Sequence, residues 1–118
     1  MGGKGIGERI GRTALALMAA VLGLGAAAPG PSPSGVTVRL FQFTPGRIEV
    51  PAGATVTWTN QDDIAHTVTS GTPERPEARF DAALAGKGAT VTVELREPGV
   101  YPYFCHRHQS MRGEIRVK

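Results

Sequence analysis

The chain has 118 residues, 41% of them hydrophobic and 19% charged, with a single cysteine and a formal net charge of +3. That length holds one small domain, and one cysteine excludes an internal disulfide framework. Residues 1–28 carry three basic side chains and one acidic one, so the rest of the chain balances ten against nine, and no basic stripe interleaved with aromatics speaks for nucleic acid.

Lys4, Arg9 and Arg12 open the sequence. An uncharged run of Ala, Leu, Val, Gly and Met follows from Ala14 to Ala28, closed by Gly25-Ala26-Ala27-Ala28. This layout is that of a secretory signal peptide, so residues 1–28 are expected to direct export to the periplasm. Cleavage after Ala27 is preferred, because cutting after Ala28 would leave Pro29 first. An uncleaved segment anchoring the domain at the extracellular face is the alternative, but the run is shorter than the roughly 20 apolar residues that span a bilayer. Residues 29–35, Pro-Gly-Pro-Ser-Pro-Ser-Gly, read as a linker that cannot pack a core. The folded domain is expected over residues 36–118.

From Val36 onward the apolar residues recur with period two, broken by Gly and Pro. Residues 36–40 alternate, and Phe43, Ile48 and Val50 continue around a turn at Pro45-Gly46. Pro51-Ala52-Gly53 turns the chain into residues 55–59, with Val56 and Trp58 on one face. Residues 60–63 read as loop. His66 to Thr69 reads as a short strand ending at Ser70-Gly71, Thr72 to Pro76 as irregular, and Ala82 to Ala85 as a possible helical turn. Residues 90–95 give the clearest alternation, with Val91, Val93 and Leu95 inward. Glu97-Pro98-Gly99 then turns into residues 100–104, and Gly113 to Val117 closes the domain. Seven to eight short strands with regular turn signals predict an all-β antiparallel sandwich.

The chemistry concentrates in Tyr101 to Met111, YPYFCHRHQSM. An exposed free thiol is prone to oxidation outside the cytosol, so a lone cysteine in an exported chain calls for burial, pairing or ligation. A thiolate, an imidazole and a thioether are donors that copper favours. Cys105, His108 and Met111 stand three residues apart, a reach of at most about 10 Å each, and can converge on one ion. With Cys105 inward, strand alternation turns Tyr103 and Tyr101 inward and sends Phe104 and His106 outward. His108, beyond the bend, is therefore the better ligand, and His106 is expected at the surface. His66 is the one histidine left to supply a second imidazole.

His66-Thr67-Val68 together with Tyr101-x-Tyr103-x-Cys105-x2-His108-x2-Met111-x-Gly113 resembles the blue-copper cupredoxins. The short ligand loop and the separation of His66 from Cys105 are similar to the amicyanins, with plastocyanins and pseudoazurins as further relatives. The resemblance covers residues 36–118, including Phe80-Asp81 and Glu97-Pro98-Gly99-Val100-Tyr101. It implies a Greek-key cupredoxin sandwich that holds one copper through two imidazoles and a thiolate, with a long axial thioether, and shuttles single electrons. Metal ligands on this reading are His66, Cys105, His108 and Met111, with His66 the more buried imidazole. Relatives often carry asparagine where this chain has Thr67, whose hydroxyl is expected to tie the two ligand segments while its amide donates to the sulfur. The polar loop residues Arg107, Gln109 and Ser110 point to a smaller, more cationic docking patch, with Arg107 and Arg112 favouring an acidic partner.

The function expected is that of a monomeric one-electron carrier, not an enzyme, between transient redox protein partners such as a cytochrome, dehydrogenase or oxidase. A copper carrier or storage protein is the main rival, though such proteins use several Met or His donors. A thiol hydrolase built on Cys105 would leave His66 and Met111 idle. Methionine is a poor ligand for structural zinc. A dinuclear copper centre would need a second cysteine.

Overall fold

The computed structural model describes residues 34–118, so the expected signal segment and most of the linker lie outside the described residues. Nine strands follow one another: β1 (Ser34–Arg39), β2 (Gln42–Thr44), β3 (Arg47–Val50), β4 (Ala54–Asn60), β5 (His66–Thr72), β6 (Arg75–Leu84), β7 (Thr90–Leu95), β8 (Gly99–Phe104) and β9 (Arg112–Val117). They form two sheets, β2-β1-β4-β7 and β3-β9-β8-β5-β6. The chain first passes from one sheet to the other at Pro45-Gly46, between β2 and β3.

The sandwich is all-β as the sequence pattern predicts, but its sheets are mixed. β1 pairs in parallel with β4, and β3 with β9. Parallel neighbours need long connections, and both pairs have them, since other strands intervene in sequence. β1 begins at Ser34, two residues before the expected domain start, and Gly35 pairs with Thr57.

The core lies between the sheets, where alternation places it. Val56 and Trp58 of β4 are fully buried, as are Val36 and Val38 of β1, Val68 of β5 and Ile115 of β9. Each such side chain contributes about 1.5–3 kcal/mol by leaving water. Val91 and Val93 are only half-buried because β7 is an edge strand. At the centre, the Tyr103 ring meets Trp58 edge-on at 5.3 Å and Phe43 at 4.7 Å. Gly113 faces Tyr103 in register, and a methyl at that position would overlap the phenol ring. Only glycine leaves room for Tyr103 beneath the last strand.

Two expectations are corrected along β5 and β6. Residues 72–76, read as irregular, hold the end of β5 and the start of β6, and Ala82 to Leu84 is strand rather than a helical turn. β6 is an edge strand with most side chains in solvent, so it lacks the apolar alternation that betrays a half-buried strand. Its pairing shifts register between Thr69 and Gly71. The buried Ser70 hydroxyl stitches this bulge, donating to the Glu77 carbonyl at 2.5 Å and accepting from the Arg79 and Phe80 amides at 3.0 and 3.1 Å.

Candidate metal centre

The antiparallel pairing of β5 with β8 sets Thr69 against Phe104 and Ser70 against Tyr103. The start of β5 therefore lies beside the end of β8, which brings His66 to Cys105 across 39 residues of sequence. Beyond Cys105 the chain folds into a closed turn: the Met111 amide donates to the His108 carbonyl at 2.8 Å, and the Cys105 amide to the Met111 carbonyl at 3.1 Å. Those two bonds hold Cys105, His108 and Met111 on one loop.

Cys105 and His66 are fully buried, Met111 is 2% exposed, and His108 is half-buried. The Cys105 Sγ stands 3.8 Å from His66 Nδ1 and 3.8 Å from His108 Nδ1. Ligand atoms of the three residues lie within 4.8 Å of one another. Bonds of roughly 2.0 Å to nitrogen and 2.3 Å to sulfur, meeting near 120°, would set sulfur and nitrogen about 3.7 Å apart. The sulfur–nitrogen spacing thus suits one shared ion, and the soft, mixed N/S set matches copper. His106, adjacent to Cys105, is exposed and stays outside the cluster.

Thr67 does what its position beside His66 predicts. Its amide donates to the Cys105 sulfur at 3.4 Å, and its hydroxyl accepts the His106 amide at 2.8 Å. One residue next to the first histidine therefore holds both the cysteine sulfur and the amide that follows it.

Asp62 is the residue that sequence reading passes over. Buried Asn60 shapes its loop, accepting the Asp62 amide at 2.9 Å and donating to the Ile64 carbonyl at 2.9 Å. Asp62 Oδ2 then lies 2.8 Å from His66 Nε2. A proton on Nε2, donated to the carboxylate, leaves Nδ1 free to face the sulfur. The same carboxylate accepts the Leu40 amide at 2.8 Å and the Phe41 amide at 3.0 Å. Burial pushes its pKa up, but the Phe41 and Leu40 amides and His66 outweigh that and leave it below the ordinary value of 3.8. The only trace in the sequence is an acid four residues before a histidine, which means little without the loop's shape.

Phe41 likewise carries no signal in the sequence. Leu40 and Phe41 turn between β1 and β2 with φ of 53° and 60°, a left-handed conformation unusual for side chains this large. Asp62 holds that turn, and the Phe41 ring stands edge-on to His66 at 5.4 Å and to His108 at 4.8 Å. Leu40, Phe41 and Ile64 are exposed large hydrophobics. Apolar surface at this end of the sandwich therefore comes from the loops before His66, not from the ligand loop.

Phe104 faces away from the core as alternation predicts, yet it is fully buried rather than a surface residue. Thr69 and Arg112 flank it in register, and the His106 ring covers it edge-on at 5.1 Å. Arg112 is not a free cation either, since its guanidinium forms a two-pronged pair with Glu74 at 3.1 and 2.8 Å. Among the described residues, no carboxylate pairs with Arg107.

The profile described as copper binding proteins, plastocyanin/azurin family, matches residues 34–118. Amicyanin-alpha from Methylorubrum extorquens is 29% identical over 83 residues, covering 70% of this chain and 70% of that protein. Plastocyanin from Scenedesmus fuscus is 31% identical over 97 residues, covering 70% of this chain and 99% of the relative. A purple cupredoxin from Nitrosopumilus maritimus superposes with a TM-score of 0.67 at 25% identity, covering 72% of this chain and 99% of that one.

Proposed function

The chain belongs to the plastocyanin/azurin family of copper-binding proteins, and from that premise we propose that it is an exported type 1 copper protein that carries single electrons between redox partners. His66, Cys105, His108 and Met111 would hold the ion, which would supply one-electron redox chemistry. One observation carries this reading: a buried thiol with two imidazole nitrogens, each 3.8 Å away.

Copper supplies the redox chemistry, alternating between Cu(I) and Cu(II). The chain's part is to keep the donors still while the charge changes, so that little reorganisation opposes transfer. Asp62 fixes the His66 ring, the amide of Thr67 draws on the sulfur, and the two backbone bonds of the turn hold His108 and Met111. His108 is the half-buried ligand and so the edge through which electrons pass, whereas His66 is sealed in. Leu40 and Phe41 border His108 with apolar surface fit for small, short-lived contacts, and Arg107 adds a cation favouring an acidic partner. The basic, apolar and small-residue segments of residues 1–28 support export to the periplasm.

Voltammetry of the copper-loaded protein tests this. A reversible one-electron wave, with copper content unchanged after repeated cycling, is the expected result. Copper passing to a Cu(I) acceptor on the first reduction would instead make the protein a carrier of the metal.

A further inference from the structure

We infer that Asp81, an exposed carboxylate of β6 outside the ligand cluster, anchors a directed hydrogen-bond chain that positions Thr67 against the His106 amide and the Cys105 sulfur. Thr69 opposes Asp81 in register and donates its hydroxyl to Asp81 Oδ1 at 2.9 Å. Thr69 Oγ1 also lies 3.0 Å from Thr67 Oγ1, and Thr67 Oγ1 accepts the His106 amide at 2.8 Å.

A threonine hydroxyl has one proton, and an ionised carboxylate only accepts. The Thr69 proton is therefore committed to Asp81, and Thr67 must be the donor to Thr69. The lone pairs of Thr67 are left facing the His106 amide. Every bond in the run His106, Thr67, Thr69, Asp81 points the same way, an arrangement in which each bond strengthens the next. Without the terminal acceptor, both hydroxyls are free to rotate, and the Thr67 rotamer loses its support. Thr69 is 3% exposed, so the middle of the chain is shielded from water. Phe104 and the His106 ring cover the neighbouring strand.

Through Thr67, the chain reaches the sulfur. Thr67 follows His66 directly, and its amide is the donor to Cys105 Sγ at 3.4 Å. Asp81 is thus a positioning residue for the metal site rather than a ligand. Its effect on the metal rests on the copper reading above, while the chain itself does not.

The test uses the full chain with Thr69→Val, Thr69→Ser and Asp81→Ala. Valine keeps the branched shape in a strand, and Asp81 is exposed, so neither change removes core. Amide hydrogen exchange of His106 is read by NMR on the reduced, diamagnetic protein, or on the metal-free chain if it isolates without copper. Thr69→Val and Asp81→Ala should each speed that exchange about ten-fold, the scale of one lost hydrogen bond, and Thr69→Ser should stay within about two-fold of wild type. In copper-loaded protein the first two variants should also lower the reduction potential, because a less firmly held donor leaves more electron density on the sulfur, and Thr69→Ser should restore it. Unchanged His106 exchange in Asp81→Ala overturns the proposal, as does exchange that responds to Thr69→Val alone. So does an unmoved potential in loaded Asp81→Ala.

Discussion

His66 and His108 each bring Nδ1 to 3.8 Å from the same sulfur, but by different means. His66 opens a strand, is fully buried, and has its far nitrogen clamped by Asp62. His108 rides on a turn closed by two backbone bonds, is half-buried, and has the edge of Phe41 as its aromatic neighbour on the outer side. One imidazole is built into the sandwich and the other is laid against it. On the proposed electron-transfer reading, the asymmetry divides the labour, with one imidazole holding geometry and the other meeting the outside.

The largest test of that contrast removes each ring in turn. His66→Gly and His108→Gly should both lose the Cu(II)-thiolate absorption, since each takes away an equatorial donor. Added imidazole should restore it in His108→Gly, whose cavity opens toward solvent, and should not in His66→Gly, whose cavity is sealed. Equal recovery in both would abolish the distinction.

Asp62→Asn sharpens it. Loss of the partner that orients a ligating histidine costs 10–100-fold in metal affinity as a typical range. A copper titration should show a drop of about that size, and the Leu40–Phe41 turn should loosen with it.

A smaller effect lies beneath the His108 side. Gly113→Ala presses a methyl into Tyr103, and overpacking of this kind costs about 1–3 kcal/mol. Chemical denaturation of the metal-free protein should register the loss, and Tyr103→Leu in the same chain should recover part of it.

Much of this asymmetry can be read from the sequence, and some cannot. Alternation over residues 55–59 and 90–95 marks strands whose inner faces are apolar, and the donors of residues 105–111 stand at loop spacing. His66 could be paired with them because chemistry demanded a second imidazole. Asp62 could not, since its role depends on how Asn60 bends the loop around it. β6 escaped because an edge strand carrying Glu77, Arg79 and Asp81 shows no buried face. Phe104 misled for the opposite reason: alternation gives its direction, but not the His106 ring that covers it.

The smallest effect concerns pH. Tyr103 Oη and Trp58 Nε1 are both buried without a hydrogen-bond partner among the described residues. Burial pushes the phenol from 10.0 to about 12, partly offset by the nearby indole. A raised folded-state pKa gives stability that is complete below 10.0 and is lost as pH climbs through about 12. Tyr103→Phe should keep neutral stability and flatten that alkaline limb, as thermal melts across the range would show.

The central claim is that one buried sulfur and two imidazoles take a single copper ion. The visible spectrum of the protein loaded with Cu(II) addresses it most directly. An intense blue sulfur-to-copper band that appears at one equivalent and vanishes in Cys105→Ser is the predicted result. A colourless Cu(II) complex, or a band that survives Cys105→Ser, would contradict the account.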